Sequence, residues 1–265
     1  MCIKKSDDIS ITLLMLRGGK EIEQKRPLPY LAKGNRTKAQ DLSKGLVMSK
    51  TDLVGWKFLR RGQKGKPVSH FDGSPWVVNE WRKQEGNLTK GVLGLSCSPT
   101  ITQAIMFVQG EILAEVEHDN EFLVSSEGHT TSRAMRILRT WEWNRKDSVK
   151  MVLNAAKRVL PIFESSYPDD YEPHTNIAAV GRWLAGIGSW KECERTRRTE
   201  YEIHSADEAA LAAHLAAVYT SGITHVLASA LLSAVFAEKS TSIFEYLHKD
   251  ALEGLTEIYF PHNNP

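Results

Sequence analysis

The chain has 265 residues, 42% hydrophobic and 25% charged, with a formal net charge of +2. These are ordinary globular values, without the basic excess that marks a nucleic-acid-binding domain. Cys2, Cys97 and Cys193 are far apart and form no CxxC pair, which argues against a disulfide framework or a cysteine-held zinc and for a reducing cytosol. No stretch approaches ~18 apolar residues, so no membrane span is expected, and the apolar run near the start is too short for a secretory signal.

Residues 1–47 carry ten Lys/Arg against five Asp/Glu. They read as a basic, flexible arm with one short strand from Ile9 to Leu16. Such an arm offers nucleic acid a contact surface. Met48 opens a segment that resembles a natural protein start.

Residues 48–145 read as a small α+β unit. Residues 53–59, LVGWKFL, alternate like a strand, and RRGQKGKP is a turn. SPWVVNEW, with Trp76 and Trp81, is a short strand. KGVLGLSCS is a buried strand ending at Ser98, which caps a helix running from Ile101 to Val108 and closed by Gly110. GEILAEVEHD alternates clearly, with Ile112, Ala114 and Val116 on one face and Leu113, Glu115 and Glu117 on the other. His118-Asp119-Asn120 reads as a hairpin turn into EFLVSS. Ala134 to Trp143 is a further strand.

Residues 146–260 change period. Val149, Val152, Leu153, Ala156, Val159, Leu160 and Phe163 form one helical face, interrupted by Pro161, which predicts a kink or break. Asp169, Asp170 and Glu172 sit where the next helix begins and suit its N-terminal end. That helix presents Ile177, Val180, Trp183 and Leu184. Ser205 to Glu208 forms a capping box. Two alanine-rich apolar helices follow, then a last helix from Thr241 to about Tyr259. The expected fold is α+β: a small mixed or antiparallel β domain with one short helix, followed by an all-α bundle.

The stretch VLPIFESSYPDDYEPHTNIAAVGRWLAG carries the most specific motif. Ile162-Phe163-Glu164, Tyr167-Pro168-Asp169-Asp170, Pro173 and Ile177-Ala178-Ala179 make residues 146–257 resemble the immunity-protein family, alanine-rich helical domains of phage, prophage and toxin-associated genes. Pro161 and Glu172 depart from the family pattern. Residues 54–143 resemble an uncharacterised phage domain through Trp56-Lys57-Phe58, Leu95-Ser96-Cys97-Ser98-Pro99, Gln103-Ala104-Ile105 and Leu113-Ala114-Glu115-Val116-Glu117. Gly94-Leu95-Ser96 stands where that domain has glycine–aromatic–histidine. These resemblances imply a cytoplasmic phage or prophage accessory protein that binds an unidentified host or phage protein, as an immunity or inhibitor protein does.

The strand order is also similar to small ADP-ribosyltransferase folds. In that reading Lys57, Ser96 and either Glu117 or Glu142 occupy the catalytic positions, with Lys57 in place of the usual His or Arg. Otherwise no catalytic set is complete, and Cys97 with His118 or His129 has no supporting spacing. Trp76, Trp81, Asp169 and Asp170 are the candidate binding residues. His204, His214 and His225 lack the i,i+4 spacing of a helical metal pair, so no metal or cofactor is expected.

Overall fold

The computed structural model describes residues 10–17, 20–27, 53–86, 88, 94–125, 128–196, 205–220, 227–240, 242–253 and 255–260. Side chains are described from residue 53 onward, apart from those of 205–208. Residues 1–48 and 49–265 form two compact units. In the first, β1 (Ser10–Arg17) and β2 (Lys20–Pro27) pair antiparallel, from Ser10 opposite Pro27 to Arg17 opposite Lys20. Sequence reading expects only the first of these strands, because KEIEQKRP is dominated by charge and carries little β propensity.

The second unit is α+β. Its larger sheet has five strands in the order β4-β3-β7-β10-β5: β3 is Val54–Arg61, β4 Pro67–Val68, β5 Arg82–Lys83, β7 Ile112–His118 and β10 Ala134–Glu142. A three-stranded sheet places β9 (Thr130–Ser132) between β6 (Leu95–Cys97) and β8 (Phe122–Val124). The two sheets join where Trp56 and Ser98 exchange backbone hydrogen bonds of 2.7 and 2.9 Å. Gly55 permits that approach, since a Cβ there would lie 2.6 Å from Cys97 Sγ.

Residues 118–120 do not make a hairpin. Both edges of β7 are taken, by β3 and β10, so the chain leaves that sheet and β8 pairs with β9 instead.

Each face of the large sheet has its own core. The alternation of β7 holds, with Ile112, Ala114 and Val116 in one cluster and Leu113 in the other. On β10 a register shift between Ile137 and Arg139 moves the pattern by one residue. Met135 and Ile137 therefore face one core, while Trp141 joins Trp56 and Phe58 in the other. That second core is continuous with the helices, through Trp143, Val149, Leu231 and Leu247 among others. Residues from both sides of position 145 thus share one apolar interior.

Seven α-helices are described. The first, α1 (Ile101–Phe107), has Thr100 as its N-cap, accepting from Gln103 N at 3.2 Å. Ser98 instead pairs through its backbone with Trp56, and its Oγ lies 2.8 Å from His129 Nδ1. The helix ends at Val108, two residues before Gly110. Helix α2 (Arg145–Ser166) starts with a capping box between Asn144 and Asp147, and continues without a break through Pro161. Helix α3 (Glu172–Leu184) buries Asn176, Ala179 and Val180, a face rotated from the expected one, and leaves Ile177, Trp183 and Leu184 at its edge. Then come α4 (Trp190–Arg195), α5 (Ser205–Thr220), α6 (Leu227–Glu238) and α7 (Ser242–Leu252). The side chains of the Ser205–Glu208 capping box lie outside the described residues.

The last helix ends at Leu252, well short of Tyr259. The chain beyond it returns to the sheet: Glu142 N donates to Thr256 O at 3.1 Å and Ile258 N to Thr140 O at 2.8 Å. The open edge of β10 there takes priority over the helical pattern, and it suits the β-branched Thr256 and Ile258. Among the described residues no helix is long and apolar enough to cross a membrane.

Candidate functional site

The seam between β3, β6 and α1 is only partly filled. Beside β3 lies a cavity of about 410 Å³, within the size range of small-molecule sites. Its walls are β3 at Lys57, β6, the loop 69–76, Arg82, α1 and His129.

Lys57 alternates along β3 with Trp56 and Phe58, whose rings join the core shared with the helices, although Phe58 also borders the cavity. Its Nζ donates to Ser96 O at 2.8 Å and stands 5.7 Å from the centre of the Trp76 ring. Arg82 lies over the same ring at 4.9 Å and pairs with Asp72 at 3.0 Å. Burial pulls the Lys57 ammonium down to about 8, helped by Arg82; Cys97 and Asp72 oppose this only in part. The Cys97 thiol is itself pushed up to about 12 by burial, so it supplies no counter-charge at neutral pH. The Asp72 carboxyl is held well below the usual range, first by the Ser74 hydroxyl and also by Arg82. Burial lowers His70, with Arg60 adding to it.

Three nitrogens of the lining residues, His70 Nε2, Trp76 Nε1 and Arg82 Nη1, are shut off from solvent and have no hydrogen-bond partner. Groups of this kind are uncommon in folded proteins and call for an explanation. Two phenylalanines lie at the rim: Phe71 is 96% exposed and Phe107 61% exposed, the latter 4.9 Å from the His129 ring. His129 Nδ1 in turn is 2.8 Å from Ser98 Oγ.

The expected site residues fall into separate groups. Lys57 and Ser96 meet, through the Ser96 carbonyl; the Ser96 hydroxyl turns to Thr131 Oγ1 at 3.2 Å. Glu117 lies on the opposite sheet face, where it accepts from Arg136 Nε at 2.7 Å. Glu142 is on β10, with β7 between it and β3, and it pairs with Arg61. Neither carboxylate lines the cavity. Cys97 lines it, but His118 is engaged with Asp119 O and His129 with Ser98.

Of the candidate binding residues, Trp76 is buried in the cavity wall, while Trp81 is 42% exposed with Arg136 stacked 5.0 Å from its ring. Asp169 and Asp170 are exposed in the turn before α3, where Asp170 Oδ1 accepts from Glu172 N at 3.0 Å. Sequence reading missed His70, Asp72, Arg82 and Phe107. Only the turn chemistry of Asp72-Gly73-Ser74 left a local trace of them. Residues 1–47, the candidate nucleic-acid arm, have no described side chains. Among the described residues no group of three or more His, Cys, Asp or Glu is placed to hold a metal.

Compared with family models, curated proteins and solved structures, the chain matches none.

Proposed function

We propose that this protein acts by binding, and that the cavity beside β3 takes an anionic, ring-bearing small molecule of the nucleotide class. The observation that carries this reading is the placing of the Lys57 ammonium and the Arg82 guanidinium on the wall of one cavity, both against the Trp76 ring. Such a wall offers donors and a net positive charge to a ligand rich in acceptor oxygens. The exposed rings of Phe71 and Phe107 give the rim flat apolar surfaces for a base or similar ring. The meeting of Lys57 with Ser96 fits the ADP-ribosyltransferase-like resemblance. The distance of Glu117 and Glu142 from the cavity favours its degenerate, binding-only form.

A thermal-shift titration of the full chain with adenosine 5′-monophosphate, ADP-ribose and adenosine tests this. Both phosphate-bearing compounds should raise Tm, adenosine should not, and Arg82→Met should abolish the rise. No shift from either phosphate-bearing compound at millimolar concentration would overturn the reading.

A second reading, immunity-like protein binding, is favoured by the α2–α3 turn. Asp169 and Asp170 are exposed there beside Tyr171, itself 68% exposed. An acidic, aromatic corner suits a basic partner surface. Loss of a captured, sequence-identified partner in the D169K/D170K double variant would support it; unchanged capture would count against it. A phage or prophage accessory role belongs to the same proposal, and the free buried thiols of Cys97 and Cys193 fit a reducing compartment such as a host cytoplasm.

A further inference from the structure

We propose that Lys57 is a covalent attachment point, whose ε-amine condenses with the aldehyde of a phosphorylated carbonyl compound or reducing sugar phosphate seated in the same cavity. The assignment rests on the ligand-binding reading above, and adds to it both a bond and a ligand class.

The geometry is that of an amine held ready. Lys57 extends from the middle of β3 into the cavity wall. Its contacts are a backbone carbonyl and an aromatic face rather than a carboxylate, so no ion pair fixes it in the charged form. The charged and titratable groups facing it are Cys97 on β6, Arg82 on β5, and Asp72 and His70 in the intervening loop. Of these, Asp72 is committed to Ser74 and Arg82, and the Cys97 thiol stays protonated. Burial therefore leaves a neutral fraction at pH 7 that is roughly 300 times that of a free lysine.

In the reaction, the amine lone pair attacks the carbonyl carbon and a C–N bond forms. Both amine protons leave with the carbonyl oxygen as water, and a C=N bond remains. No oxidant or reductant is needed. The Arg82 guanidinium on the same wall supplies the positive charge that draws in the ligand's phosphate.

The test uses pyridoxal 5′-phosphate as the aldehyde. The full chain is incubated with it and treated with borohydride, which adds hydride to the C=N carbon and makes the adduct permanent. Peptides are then mapped by mass. The first equivalent should land on Lys57, with half-maximal labelling near pH 8. Pyridoxal, which lacks the phosphate, should label it about ten-fold less, a difference of roughly 1.4 kcal/mol. Lys57→Arg should lose the adduct while keeping charge and length. Should that variant misfold, protection answers the same question: excess ADP-ribose should slow labelling of wild-type Lys57.

First-equivalent labelling of surface lysines such as Lys157, with Lys57 unmodified, would overturn the assignment, as would equal labelling by pyridoxal. A Tm rise with ADP-ribose but no Lys57 adduct would sink this assignment alone. Failure of both would also sink the binding reading.

Discussion

Lys57 Nζ donates to the carbonyl oxygen of Ser96 at 2.8 Å, so a cation on the central sheet is held by a backbone dipole rather than an acid. The contact ties β3 to β6, across the seam where the two sheets meet, and fixes where the ammonium can point. It also leaves a charge in the fold without a carboxylate to balance it, a state that costs stability.

That cost has a defined pH dependence. The folded-state value of Lys57, about 8, lies below the unfolded one, so the unfolded chain holds more protons between them. Stability from this group therefore rises as pH goes from about 8 towards 10.5, and its penalty is full below 8. Lys57→Met should be more stable than wild type by up to about 3 kcal/mol at pH 7, less whatever the lost Ser96 contact contributes. The advantage should vanish near pH 10.5. Paired urea titrations across that range would check it, and a pH-independent difference would contradict the burial account.

Two glycines should respond in opposite ways to alanine. A Cβ at Gly110 would meet Leu59 O at 2.4 Å and His70 Nε2 at 2.8 Å, so backbone must move. Gly110→Ala should cost roughly 2–3 kcal/mol, in the range of overpacking substitutions. At Gly181, inside α3, an added Cβ meets nothing within 4 Å. Gly181→Ala should gain about 0.5–1 kcal/mol from helix propensity. Chemical denaturation of the two variants gives both signs directly.

Pro161 sits exposed within a continuous α2. It supplies no N–H to the helix ladder and contributes no core contact that alanine would lose. Pro161→Ala should stabilise the protein by up to about 3 kcal/mol, seen as a higher Tm with unchanged far-ultraviolet helicity.

A buried bond spans the junction between strand and helix. Trp143 Nε1 donates to Ser148 Oγ at 2.8 Å, with both residues inside the shared core. Ser148→Ala strands the indole N–H and should cost about 1–3 kcal/mol. Replacing both residues, as in the W143F/S148A double variant, removes the orphaned donor, so its loss should fall short of the summed single losses. A double-mutant cycle in urea measures this coupling.

Local pattern carried the expectations that held. β7 was legible because Ile112, Ala114 and Val116 alternate with Leu113, Glu115 and Glu117 and both faces are buried against different partners. Helix α2 was legible from its three-and-four spacing. What failed depended on long-range pairing. The register shift near Ile137 has no sequence signature, and the return of Thr256 and Ile258 to β10 is set by an open sheet edge more than 100 residues away. Asn176 is buried on α3 at a position where polarity alone suggests solvent. The cavity is half legible: Lys57, Ser96, Cys97, Trp76 and His129 stand out in the sequence, but in different readings. His70 and Arg82 join them only through folding, since they lie on separate segments between β3 and β10.

On the binding reading proposed above, an anionic ligand enters this cavity and seats beside Lys57, Arg82 and the Trp76 ring. The most direct measurement is a ¹⁵N–¹H correlation spectrum of the indole region, assigned with Trp76→Phe, during titration with ADP-ribose. The Trp76 Nε1–H resonance should shift progressively to saturation as the ligand seats beside its ring, while that of Trp81, outside the cavity, stays in place. An unmoved Trp76 resonance at saturating ADP-ribose would contradict the account.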